Sequence, residues 1–193
     1  MRVVRFLATA IAALALASVT AGAQPDTRDT RLLAQPATNG THVAFVYADD
    51  LWVARLDGTD LRRLTTDDGA ETSPTFSPDG RLIAFSAQYD GNIDVYVVPA
   101  EGGVPRRLTW HPGPDVVQGF SPDGQRVLFT SGRAAFTAAY RHLYTVPVGG
   151  GLEERLPIPN AYQATYSPDG QRIAYNPLPP AFDQWKQYRG GRV

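Results

Sequence analysis

The tetrapeptide Ser-Pro-Asp-Gly occurs three times, at 77–80, 121–124 and 167–170. Each copy precedes a short apolar run: Leu82-Ile83-Ala84-Phe85, Val127-Leu128-Phe129 and Ile173-Ala174-Tyr175. A degenerate earlier copy, Thr38-Asn39-Gly40, precedes Val43-Ala44-Phe45. The glycines Gly40, Gly80, Gly124 and Gly170 are spaced by 40, 44 and 46 residues. A second block closes each unit, first Asp60-Leu61-Arg62-Arg63-Leu64-Thr65, then Pro105-Arg106-Arg107-Leu108-Thr109, then Glu153-Glu154-Arg155-Leu156-Pro157. A period in the low forties, built from short apolar runs and turn residues, is the length of a four-stranded propeller blade. The sequence therefore predicts an all-β chain, a partial β-propeller of four-stranded antiparallel blades.

The local chemistry of each unit agrees. Asp-Gly or Asn-Gly supplies the positive φ angles of a tight hairpin, the proline fixes φ before it, and the serine hydroxyl caps a nearby backbone amide. Asn39, Gly40, Asp79, Gly80, Asp123, Gly124, Asp169 and Gly170 are accordingly structural turn residues. The turns join an innermost strand, around Thr75-Phe76, Gly119-Phe120 and Thr165-Tyr166, to a second strand. Runs such as 43–47, 82–86 and 94–98 are apolar almost throughout, as expected when both faces of a blade press on neighbours. Arg- and Thr-rich outer strands suit a solvated edge. The stretch from Gly132 to Arg141 reads as a longer hairpin loop in the third unit.

The units fall at about 32–65, 72–109, 116–157 and 162–193, the last ending its strand pattern at Tyr175. About three and a half blades leave two apolar faces bare, near Phe45, Tyr47 and Trp52 at one end and Ile173 and Tyr175 at the other. Because blades bury their faces only against each other, the expectation is an incomplete propeller, the first piece of something longer.

Residues 1–23 carry a different signal. Arg2 and Arg5 form a charged start, Phe6 to Val19 an apolar stretch, and Ala21-Gly22-Ala23 the small-residue pattern of a signal peptidase site. Cleavage after Ala23 would leave a flexible linker, 24–31, no stable membrane insertion, and an exported, periplasmic protein.

Candidate chemistry is sparse. The chain has no Cys and three His, and a formal charge of −1 offers no footprint for nucleic acid. Asp90, Asn92 and Asp94 alternate as in a calcium loop, but Val95 stands where such a loop needs glycine. Ser77, Ser121 and Ser167 sit in turns, outside any Gly-x-Ser-x-Gly elbow. His111 reads as a loop histidine bonded to backbone, and the pairs Arg62-Arg63 and Arg106-Arg107 as solvated edge. No catalytic residue, no metal ligand and no cofactor site is assigned.

The repeats resemble the Tol-type, WD-like propeller repeat. More closely, the chain is similar to the N-terminal propeller of bacterial tricorn protease homologues. The phrases that carry the likeness are 45–53, 88–96, 108–115 and Trp185-Lys186-Gln187-Tyr188-Arg189-Gly190-Gly191. The resemblance implies a six-bladed propeller at the front of a large exported serine peptidase. Its nucleophile and histidine would lie in domains outside this segment, and its propellers would filter peptides. It also implies peptides or protein domains as partners and leaves room for an oligomeric parent. Two other readings stay open: a stand-alone periplasmic TolB-like protein-binding propeller, and the propeller of another exported hydrolase.

Overall fold

The computed structural model describes residues 33–135 and 140–177. The leader with its cleavage site at Ala23, the 24–31 linker, the tip of the third-unit loop and the 185–191 phrase lie outside the described residues. Among the described residues there are fourteen strands and no helix.

The strands form four antiparallel sheets in simple chain order. The first holds β1 (Ala34–Thr38), β2 (His42–Tyr47), β3 (Asp50–Arg55) and β4 (Arg62–Arg63). The second holds β5 (Glu71–Phe76), β6 (Leu82–Ala87), β7 (Asp94–Pro99) and β8 (Arg106–Arg107). The third holds β9 (Asp115–Phe120), β10 (Arg126–Ser131), β11 (His142–Pro147) and β12 (Glu154–Arg155). The fourth pairs β13 (Gln163–Tyr166) with β14 (Ile173–Asn176). The first strands touch in sequence, β1 to β5, β5 to β9 and β9 to β13. This is blade stacking, and the sheets do not close a ring.

Residue alternation explains the nearly continuous apolar strands. In the second blade Ile83, Phe85, Tyr96 and Val98 face the first blade, with Leu51 and Val53. Their neighbours Ala84, Val95 and Val97 face the third blade, with Val127 and Phe129. A central blade is thus apolar on both sides, where a half-solvated sheet would alternate. In the first blade Ala44, Leu51 and Val53 are buried, whereas Val43, Phe45, Tyr47 and Trp52 on the other side are only half-buried. The fourth blade departs from expectation. Ile173 and Tyr175, two residues apart on β14, share the face toward the third blade and not an open end: Ile173 packs with Tyr166 against Leu128 and Leu143, and Tyr175 is 44% exposed.

The three full turns share one geometry. Gly80, Gly124 and Gly170 have φ of +71°, +70° and +71°, a region that favours glycine. Their N–H groups donate to the carbonyls of Ser77, Ser121 and Ser167 at 2.8–2.9 Å. The aspartates keep ordinary negative φ, so the positive angle falls on glycine alone and not on the Asp-Gly pair. Asn39 and Gly40 sit in a shorter connection, with three residues between β1 and β2 where β5 and β6 have five.

Candidate functional site

Two ends of the blades concentrate polar side chains, and they do so differently. At the turn end, each serine hydroxyl donates to the aspartate two residues on, at 2.6 Å for Ser77–Asp79 and 2.5 Å for both Ser121–Asp123 and Ser167–Asp169. The same serine oxygens accept the N–H of Leu82, Arg126 and Arg172 at 2.9–3.0 Å. Each aspartate also accepts the N–H two residues later, from Arg81, Gln125 or Gln171. These bonds hold the three carboxyl groups below the usual range, the serine contributing most. In the shorter first connection one atom does both jobs: Asn39 Oδ1 accepts from Thr41 N at 3.0 Å and His42 N at 2.8 Å. No histidine contacts these serines, so their hydroxyl protons are committed to carboxylates and not to a base.

The other end carries buried acids, of which the sequence singled out Asp94 alone, as part of the calcium-like alternation. Asp94 opens β7 with no exposed side chain, and Arg107 of β8 reaches it at 2.6 Å and Asp90 at 2.7 Å. Asp50 and Arg63 repeat the arrangement at 2.7 Å in the first blade, and His142 with Arg155 at 3.2 Å in the third. The second arginine of each doublet is therefore an intramolecular clamp, and Arg107 is only 20% exposed. That corrects the solvated-edge reading for Arg107, while Arg63 and Arg106 remain exposed. The signal was available as an acid at the head of the third strand and an arginine 13 residues later, in two successive units.

A second acid heads the next blade. Glu71 accepts from Thr65 Oγ1 at 2.6 Å and from the Tyr89 hydroxyl. Asp115 pairs with Arg133. Burial pushes Glu71, Asp94 and Asp115 upward, against the opposing pull of Thr65 and Tyr89, of Arg107, and of Ser131 and Arg133 respectively. With Arg107 on Asp94 and Asp90, and Asn92 Nδ2 donating to Asp94, the alternating acids form an ion-pair cluster. No group of three or more metal-ligating side chains is arranged to hold an ion among the described residues. His111 takes the N–H of Gly113 on Nδ1 at 2.9 Å, as a loop histidine bonded to backbone.

The first strands and turns of the second to fourth blades also frame an open cleft of about 390 Å³. Thr75, Gln118, Phe120 and Tyr166 line it beside the turn prolines Pro78 and Pro122. None of its lining side chains is charged, so it suits neutral backbone and apolar groups.

Residues 30–193 match the family model of the tricorn protease N-terminal beta propeller domain. A tricorn protease homolog of Streptomyces coelicolor is 39% identical over 64 residues, which are 33% of this chain and 6% of the relative. The chain thus spans a small part of that relative's length. Among solved structures, a TolB from Agrobacterium tumefaciens superposes with a TM-score of 0.65 and 26% identity, over 76% of this chain and 54% of that one. The crystal structure of the tricorn protease matches with a TM-score of 0.64 and 26% identity, over 71% of this chain and 14% of that one.

Proposed function

The chain belongs to the family of tricorn protease N-terminal β-propeller domains, and from that premise we propose that it is a non-catalytic segment that admits or holds peptides for an exported tricorn-like serine peptidase. The observation that carries this reading is the uncharged cleft on the inner strands. Peptides would line up there against Gln118, Phe120 and Tyr166, while every turn serine keeps its proton on an aspartate. The 1–23 leader supports export to the periplasm. The likeness to TolB favours a second reading, a protein-binding propeller of the envelope.

The test is photo-crosslinking from Thr165, an exposed residue lining the cleft. A benzoylphenylalanine there, offered a mixture of unstructured oligopeptides, is expected to capture peptides of varied sequence, and the chain alone is expected not to hydrolyse them. Peptide hydrolysis by the chain would overturn the non-catalytic reading. Absence of peptide capture, with one folded envelope protein captured in its place, would favour the TolB-like role.

A further inference from the structure

Successive blades are tied by side chains at three recurring positions. At the first joint Arg62 Nη1 reaches across to the Glu101 carbonyl at 3.0 Å, and Thr65 Oγ1 bonds Glu71 at 2.6 Å while accepting Leu51 N at 2.9 Å. At the second joint Arg106 bonds the Val148 carbonyl, Thr109 accepts Val95 N at 3.0 Å, and the buried Asp115 pairs with Arg133. At the third joint the same positions hold Glu154, Pro157 and Ala161. The cross-blade arginine has become a glutamate that turns back to Arg126 of its own blade at 3.4 Å. The hydroxyl and the buried acid are gone.

What remains at the third joint is weaker. The backbone tie persists, with Ala161 N donating to Arg141 O at 2.9 Å, as Asp115 N does to Ile93 O at 2.8 Å. Gln118 Oε1 accepts Ala164 N at 3.2 Å, and Asn160 links Arg141 N to the Pro177 carbonyl. With two strands of the fourth blade among the described residues, the fully buried apolar side chains here are Leu128, Leu143 and Ala161.

We infer that the joint between the third and fourth blades is the seam at which this propeller opens, the first three blades moving as one body. Three substitutions converge on a single joint, each removing a side chain of a kind that the other two joints keep: an arginine reaching a carbonyl of the next blade, a threonine hydroxyl that accepts a third-strand N–H, and a buried acid. A seam of this kind gives access to the inner cleft from the side, beside Gln118 and Tyr166.

The chain has no native cysteine, and each joint's apolar contact offers a fully buried alanine: Ala44, Ala84 and Ala161. Single Ala44→Cys, Ala84→Cys and Ala161→Cys variants of the full chain therefore report each joint by its thiol-labelling rate. Ala161→Cys is expected to label at least about tenfold faster than either of the others, because labelling follows local opening. Equal rates, or the reverse order, would overturn the proposal. A second arm separates missing links from a blade that frays for other reasons. Adding Thr109→Val to Ala84→Cys is expected to speed labelling at the second joint several-fold, with Ala44→Cys unaffected by the same change. An unchanged second joint would show that these links do not set where the propeller opens.

Discussion

Replacing Phe85 and Phe45 by alanine tests the two-faced blade directly, because the two residues occupy the same place in successive units. Phe85 is fully buried between the first and second blades and stacks on Tyr96 with ring centroids 5.8 Å apart. Truncating such a residue costs about 3–5 kcal/mol, from lost transfer energy and the cavity left behind. At about 1.4 kcal/mol per tenfold, that is roughly a hundredfold to a few thousandfold in the opening equilibrium of the strands it holds. Phe45 points the other way, onto the partly covered side of the first blade, so its removal forfeits less contact than that of the fully buried Phe85. Amide exchange read by mass spectrometry on the peptides of β6 and β7 is expected to lose at least about a hundredfold of protection in Phe85→Ala. In Phe45→Ala the β2 peptides are expected to lose several-fold less protection than the β6 and β7 peptides lose in Phe85→Ala. If the two variants lose equal protection, the first blade is covered on both sides and the stacking order is wrong.

Gly124→Ala places a methyl 3.4 Å from Pro78 at a φ of +70°, and is expected to lower stability by about 1–2 kcal/mol. A fall in Tm of several degrees would register it; no shift would mean that the turn tolerates side chains. The acids should divide by pH. Asp79, Asp123 and Asp169 lie below the ordinary 3.8, so their stabilisation is present above that value and lost as pH falls through their lowered pKa values. Glu71, Asp94 and Asp115 lie above their ordinary values, so their contribution is greatest in acid and declines as pH rises through the raised values. NMR titration of the carboxyl carbons should give early midpoints for the turn group and late ones for the buried group; the reverse order would refute the assignment. A fluorophosphonate probe should leave Ser77, Ser121 and Ser167 unlabelled, and adduct formation at any of them would reveal an activated nucleophile.

The blade was legible because it is written several times. A turn and an apolar run repeated at a near-constant interval define hairpins, and stacking them follows from the apolar character of both faces. The clamps were harder. Asp94 sits next to Val95 in what reads as a strand, and Arg107 follows an arginine that serves another purpose. Only the antiparallel pairing of β7 with β8 brings the two together across 13 residues. The shared geometry of the turns was also hidden in part, because Asp-Gly in sequence suggests two positive φ angles where the serine hydroxyl supports a turn with one. Ile173 stands three residues after its turn glycine, as Ile83 does, so the repeat spacing already places it on the face toward the preceding blade.

The turn prolines have a consequence for how such an array grows. A methyl on Gly124 would meet Pro78 at 3.4 Å, and one on Gly170 would meet Pro122 at the same distance, so the second and third of these turns seat their glycine against the proline of the turn before, while Gly80 lies against Asn39. Proline and glycine are thus paired between neighbouring units as well as within one. A duplicated unit that carries the whole tetrapeptide brings both halves of this tongue and groove and fits between any two existing copies. A unit that changes one half alone obliges its neighbour to change as well. Tandem copying with the motif intact therefore lengthens the array without redesign, whereas drift at a single turn propagates to the adjoining blade.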